Sequence, residues 1–372
     1  MMKFRSMTFI LAIICGVTMT LAQPSDQWPI FRGDPTLSGN SKARIPDKPQ
    51  LLWNFQTDDA ITAAPIIADG KIFAGNTEGR LFALDMEGNL LWTYETENTI
   101  EAPAMYYDGI VYCGNLSGYL YAINADTGNL IWKYESENQI SGSPNQFEFN
   151  KRPYIVVGSY DFYLHCVDAK IGQMKWKYES DNFVNGAAAI NPDAAMFGGC
   201  DGFLHVVDLG TGKLRKKVQI ATYVAGSVAV AGNLVYTGDY DGQFSCIDIE
   251  KGQILWKWIN PDNSLPFLGS PSIYKDWVII GGQDKKLYCF ERSAGDLIWS
   301  FNAGGRIDAS PVIVRDQVLT ATMDGMLYLV DLESGEETWS YEVGSGMAHN
   351  PAVVSGYIVL GAQDGNIYCF GK

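Results

Sequence analysis

Ala122-Ile123-Asn124-Ala125-Asp126-Thr127-Gly128-Asn129-Leu130-Ile131-Trp132 reads as a strand end, a turn closed by Thr127-Gly128, and the start of a second strand that carries a tryptophan. The pattern recurs along the chain. Trp53, Trp92, Trp132, Trp176, Trp256, Trp299 and Trp339 occupy equivalent places, and Lys216 stands at the tryptophan position of one copy. Counting Lys216, successive copies lie 39 to 44 residues apart. A strand-rich period near this length is the signature of a propeller or solenoid.

One copy shows the unit. Ala64 to Ile67, Lys71 to Ala74, Leu81 to Leu84 and Leu90 to Tyr94 are short apolar runs separated by Asp69-Gly70, Asn76 to Gly79 and Met86 to Gly88. Such runs joined by Gly-bearing turns are hairpin signals, and four antiparallel strands per period make a propeller blade. Similar units run over 103–132, 142–176, 187–216, 227–256, 270–299 and 309–339. The last, Pro351 to Gly371, has only three strands, and the strand at Trp53 stands alone at the other end. The predicted fold is all-β, an eight-bladed propeller over residues 51–372 whose last blade is completed by the N-terminal strand. Closure of this kind removes the two open sheet edges. The repeated tryptophans are expected to dock each outer strand on the next blade, with the Lys216 copy the least well anchored.

The formal charge is −15 with 47% apolar residues, an ordered acidic protein. Acidity disfavours nucleic acid and anionic membrane surfaces, and Arg215-Lys216-Lys217 is read as a solvated strand face. Lys3 and Arg5 followed by apolar Met7 to Leu21 and a small-residue site at Thr20-Leu21-Ala22 predict a signal peptide over residues 1–22. The apolar run is too short for a transmembrane span, and Ile14 before Cys15 does not make a lipobox. The expected product is periplasmic or secreted, and a monomer. Residues 23–50 form a Pro-rich N-terminal segment whose aromatics, in Trp28-Pro29-Ile30-Phe31-Arg32-Gly33-Asp34-Pro35, predict docking on the domain. Cys166, Cys246, Cys289 and Cys369 share one repeat position, and Cys113 and Cys200 lie in other copies, so free buried thiols are expected instead of disulfides.

His165 and His205 replace Phe82, Tyr121, Tyr288, Tyr328 and Tyr368 at one repeat position, so they read as packing residues in adjacent sheets about 10 Å apart, too far to share a metal ion. No phosphate loop, dinucleotide fingerprint or nucleophile elbow occurs in the sequence. The connections entering each blade align Thr62, Glu101, Ser141, Asn185, Ala225, Leu268, Asp308 and Ala348, with His349 beside the last. These should ring one mouth of the central channel, with Glu101, Ser141, Asn185, Asp308 and His349 as candidate ligand-binding residues. The longest connection, Asn260 to Phe267, is expected to expose Leu265 and Phe267 for partner contact.

The repeat in 122–132, and less completely in Val330 to Trp339, resembles that of the pyrroloquinoline-quinone (PQQ)-like propellers, as does the opening at 28–35. The resemblance implies one of two roles. The first is a non-enzymatic scaffold that binds protein partners in the cell envelope, as in BamB-type outer-membrane assembly factors, with no cofactor. The alternative is a quinoprotein dehydrogenase using PQQ with calcium. The dehydrogenases carry adjacent cysteines and long insertions, and neither occurs in this sequence. A carbohydrate-binding propeller, suggested only by the aromatics, is a third possibility.

Overall fold

The computed structural model describes residues 27–220 and 223–372, so the signal-peptide reading of residues 1–22 lies outside the described residues. Every regular element among them is a β-strand. In blade 1 the strands Ile66–Ala68, Lys71–Gly75, Arg80–Asp85 and Leu90–Glu95 pair antiparallel in sequence order, from the channel outward. Seven such four-stranded meanders succeed one another, and the eighth blade is composite. Its outer strand is Gln50–Gln56, which pairs with Asn366–Gly371 in the register Trp53 to Cys369 and Asn54 to Tyr368. The predicted closure is present.

The burial of the strands follows from this packing. The second and third strands of each blade are covered on both faces by neighbouring sheets, as Lys71–Gly75 and Arg80–Asp85 illustrate. The outer strands alternate between half-buried and exposed. A register shift falls just before the tryptophan where the outer strand pairs, at Leu130/Trp132 for example. This bulge turns the indole toward the next blade and leaves Leu130 and Ile131 exposed. The core is accordingly a ring of inter-blade interfaces, each mixing residues of adjacent sheets.

The indoles act as clamps. Trp92 Nε1 donates to Ala125 O at 3.0 Å, and the ring lies over Gly128, whose φ of 71° and missing Cβ allow that approach. Trp53, Trp132, Trp176, Trp256 and Trp299 make the same bond to Met86, Ala169, Leu209, Arg292 and Leu332. Trp339 differs because it faces the seam of the composite blade, where no turn joins the third and fourth strands; it packs on Tyr341 and Phe370 instead. Lys216 reproduces the clamp in another way: its side chain lies by Gly252 and its ammonium donates to Glu250 O.

The N-terminal segment does more than dock. From Trp28 to Arg44 it runs around the inner strands and bonds to all eight blades. Trp28 and Ile67 exchange bonds of 2.8 and 2.9 Å, Tyr106 N donates to Pro29 O, and Asn145 Nδ2 to Pro35 O. Ile190, Val230, Ile273 and Ile313 donate their backbone N–H groups to Pro35, Thr36, Ser38 and Gly39, and Gly356 donates to Arg44. Asn40–Ser41 adds a short parallel strand beside Val312–Val314. Innermost strands have no further strand on the channel side, so these bonds satisfy backbone groups that would otherwise line the channel unpaired. Arg32 anchors the segment. It is fully buried, with Nη1 donating to Pro311 O at 2.6 Å and Nη2 to Pro271 O at 3.0 Å and Ser272 Oγ at 2.6 Å. Burial pushes its guanidinium down to about 9, against the pull of Asp34. Gly39 is required beside it, because a Cβ there would overlap the guanidinium.

Candidate functional site

The segment's contacts lie toward the turns that join first and second strands, so it closes the lower end of the channel. The upper end is bounded by the connections that enter each blade. A cavity of about 300 Å³ opens there. Glu101, Ser141, Asn185, Asp308 and His349 all line it, together with Ala225, Leu268 and Ala348, and Phe31 reaches it from the N-terminal segment. The aligned ring is thus assembled as the spacing predicts, with Thr62 alone outside the lining.

Below the rim, serine hydroxyls tie the blades together. Ala187 N donates to Ser227 Oγ, Ser227 N to Ser270 Oγ, and Ser270 N to Ser310 Oγ, at 2.8, 3.0 and 2.8 Å. These bonds follow from the recurring Gly/Ala-Ser pair and fix the width of the channel. The rim residues are held differently. Asp308 is engaged on both oxygens, by Arg306 at 3.1 Å and Gln283 at 3.1 Å. Glu101 is exposed and has no ion pair or hydrogen bond among the described residues. Ser141 Oγ and Asn185 Oδ1 are buried atoms without a hydrogen-bond partner, while Asn185 Nδ2 reaches toward Ala225 O. Burial pushes the His349 imidazole down to about 4, so it is neutral at physiological pH. The mouth therefore combines net negative charge with polar atoms whose hydrogen-bonding capacity is unused.

Leu265 is exposed, as expected for the 260–267 connection. Phe267 is a correction: it is 2% exposed and packs on Phe244, Trp258 and Tyr288. Its position matches Ile61, Ile100, Ile140, Val184, Val224, Ile307 and Met347, all buried. That apolar column, one residue before the rim column, was the signal that outweighs the prolines around it. The 260–267 connection otherwise presents polar residues around Leu265.

His165 and His205 are buried packing residues with an added role. His165 Nε2 meets Asp161 at 2.9 Å while Nδ1 meets Tyr134 OH of the preceding blade at 2.9 Å. His205 repeats this with Asp201 and Tyr178, both at 2.9 Å. Burial, the largest single influence, works to raise the two carboxyl pKa values, but the histidine bonds and backbone N–H donors together hold both below the usual range. The pairs are inter-blade ties and do not belong to the cavity lining. The six cysteines from Cys113 to Cys369 are free, as expected. Arg215 and Lys217 of the basic run are held by Asp193, Asp208 and Asp181.

PQQ is a tricarboxylate, and its metal requires several hard ligands. The charged lining of the mouth is Glu101 and Asp308, the wrong sign for the quinone's carboxylates. No group of three or more His, Cys, Asp or Glu among the described residues is arranged to hold a metal. The residues present do not fit the cofactor.

No curated protein sequence matches this chain. Among solved structures, the europium-containing methanol dehydrogenase superposes with a TM-score of 0.78 at 14% identity, over 94% of this chain and 99% of that one. BamB from Moraxella catarrhalis gives 0.72 at 17%, over 87% and 100%. The computationally designed Ika8 protein gives 0.77 at 20%, over 87% and 100%. An enzyme, an assembly factor and a designed protein all match, so these likenesses carry the fold alone. The family model described as "Outer membrane protein assembly factor BamB" matches residues 46–135, 88–268 and 264–371. Since those matches span the propeller from end to end, the chain belongs to the BamB family of PQQ-like β-propellers.

Proposed function

We propose that the protein is an exported, non-enzymatic propeller that binds protein partners as a scaffold in the cell envelope. One observation carries the reading: the mouth where a propeller of this family would hold a redox cofactor is lined by Glu101 and Asp308, with no cationic residue in the lining. Family membership supports the same reading, as does a polar rim suited to side-chain recognition. No helix among the described residues is long and apolar enough to cross a membrane. Export is tested by sequencing the N-terminus of the protein recovered from the envelope, which should begin at Gln23.

The competing dehydrogenase reading is tested by incubating the purified protein with PQQ and calcium and assaying alcohol-dependent dye reduction. No turnover above the cofactor alone is expected. Substrate-dependent dye reduction would overturn the scaffold reading.

A further inference from the structure

We propose that the open mouth is a guanidinium-binding site that takes an arginine side chain presented by a protein partner. The inference rests on the scaffold reading and names the partner's chemistry.

Four observations converge. The cavity is walled by seven of the eight blades and backed by Phe31, so a side chain entering it leaves bulk water and meets aromatic surface. Its charged lining residues are both acids: Asp308 is already engaged by Arg306 and Gln283, and Glu101 has no partner among the described residues. Ser141 Oγ and Asn185 Oδ1 are buried acceptors with nothing to accept from. His349 is neutral and makes no hydrogen bond among the described residues, so it does not oppose a cation. Seven other buried side-chain atoms among the described residues are also unpaired, but these two belong to residues lining one polar cavity, where a donor-rich ligand can satisfy them. A ligand matching this lining is cationic, planar enough to lie against an aromatic ring, and rich in donors. Guanidinium meets all three demands, with five N–H groups in a fixed fork against carboxylate and amide oxygens. A lysine ammonium supplies charge but fewer, unforked donors.

The test titrates N-acetyl-arginine methylamide into the uniformly 15N-labelled protein and follows the backbone amides of Gly142, Gly186, Gly226 and Gly269, all in the lining. Saturable shifts at these amides are expected, with the capped lysine weaker and the neutral capped citrulline silent. The double variant Glu101→Gln/Asp308→Asn should weaken the arginine analogue by about tenfold or more, the usual scale for losing charge-assisted hydrogen bonds. Ser141→Ala and Asn185→Ala should weaken it by smaller factors while leaving thermal unfolding unchanged. Free arginine should bind less well than the capped form, because its carboxylate meets Glu101; equal or tighter binding would point to a free amino acid and overturn the partner assignment. Absence of saturable shifts, indifference to Glu101→Gln/Asp308→Asn, or equal binding of lysine or citrulline would overturn the proposal. A silent arginine titration without dye reduction removes this inference alone, whereas dye reduction removes the scaffold reading.

Discussion

The two ends of the channel solve opposite problems. At the lower end every blade bonds to one continuous strap, and Arg32 spends three of its donor contacts on Pro271, Ser272 and Pro311. At the upper end the blades are tied below the rim through Ser227, Ser270 and Ser310 and at the rim by Asn185 to Ala225 and Gln283 to Asp308, and Ser141 Oγ and Asn185 Oδ1 stay unpaired. Bonds to one strap are gathered at the lower end, although Trp28 Nε1 and Arg32 Nε stay unpaired there, while at the upper end the unpaired atoms belong to the lining of an open cavity. Stability should therefore reside in the lower end and recognition in the upper.

That contrast can be broken at several points. The largest effect is expected from deleting residues 27–44, which strips hydrogen-bond partners from all eight blades; circular dichroism should show loss of cooperative unfolding, and a deletion variant that melts like the intact protein would undo the contrast. Arg32→Ala, which leaves Pro271 O and Ser272 Oγ without their donor in a buried place while Pro311 O keeps that of Ser272 Oγ, costs about 3 kcal/mol in urea denaturation. Trp92→Ala, which removes a half-buried indole and its bond to Ala125, should cost about 2 to 3 kcal/mol, whereas Lys216→Ala, at the same repeat position, should cost less than about 1. Equal costs would mean that the lysine clamp is as strong as the indole one.

The smallest effects belong to the rim. Glu101→Gln should change stability by no more than about 0.5 kcal/mol, since an unpaired exposed carboxylate contributes little to folding. His349 gives the rim a pH signature. Its folded pKa, about 4, lies below the unfolded value near 6.5, so the unfolded chain takes up a proton first as pH falls. Its contribution is intact above about pH 6.5 and lost as pH falls toward 4. His349→Gln should flatten that part of the stability profile without altering it at pH 7.5, as chemical denaturation across the range will show.

Much of this was legible in the sequence because the repeat reports on itself. Each column can be checked against seven other copies, which is why the composite blade at Trp53, the clamp residues and the rim column from Glu101 to Ala348 fall where spacing places them. What does not repeat was harder to read. The strap from Trp28 to Arg44 bonds mainly through backbone carbonyls, which leave no side-chain pattern, and nothing local to Phe31-Arg32-Gly33 signals that the arginine is buried. Phe267 was misjudged because Pro261 and Pro266 make its connection look like an exposed loop, although its own column is apolar in every other blade. The rim's membership was readable, but its chemistry was not: which of Glu101, Ser141, Asn185 and Asp308 remain unpaired depends on neighbours such as Arg306 and Gln283 that the repeat does not fix.

The central claim is that the upper mouth recognises a cationic side chain and does not house an anionic redox cofactor. The most direct measurement is the capped-arginine titration followed at the lining glycine amides, with PQQ and calcium as the competing ligand. The account predicts saturable arginine shifts, weakened by about tenfold or more in Glu101→Gln/Asp308→Asn, and no saturable response to the quinone. Saturable quinone binding at the same amides, with arginine silent, would contradict it.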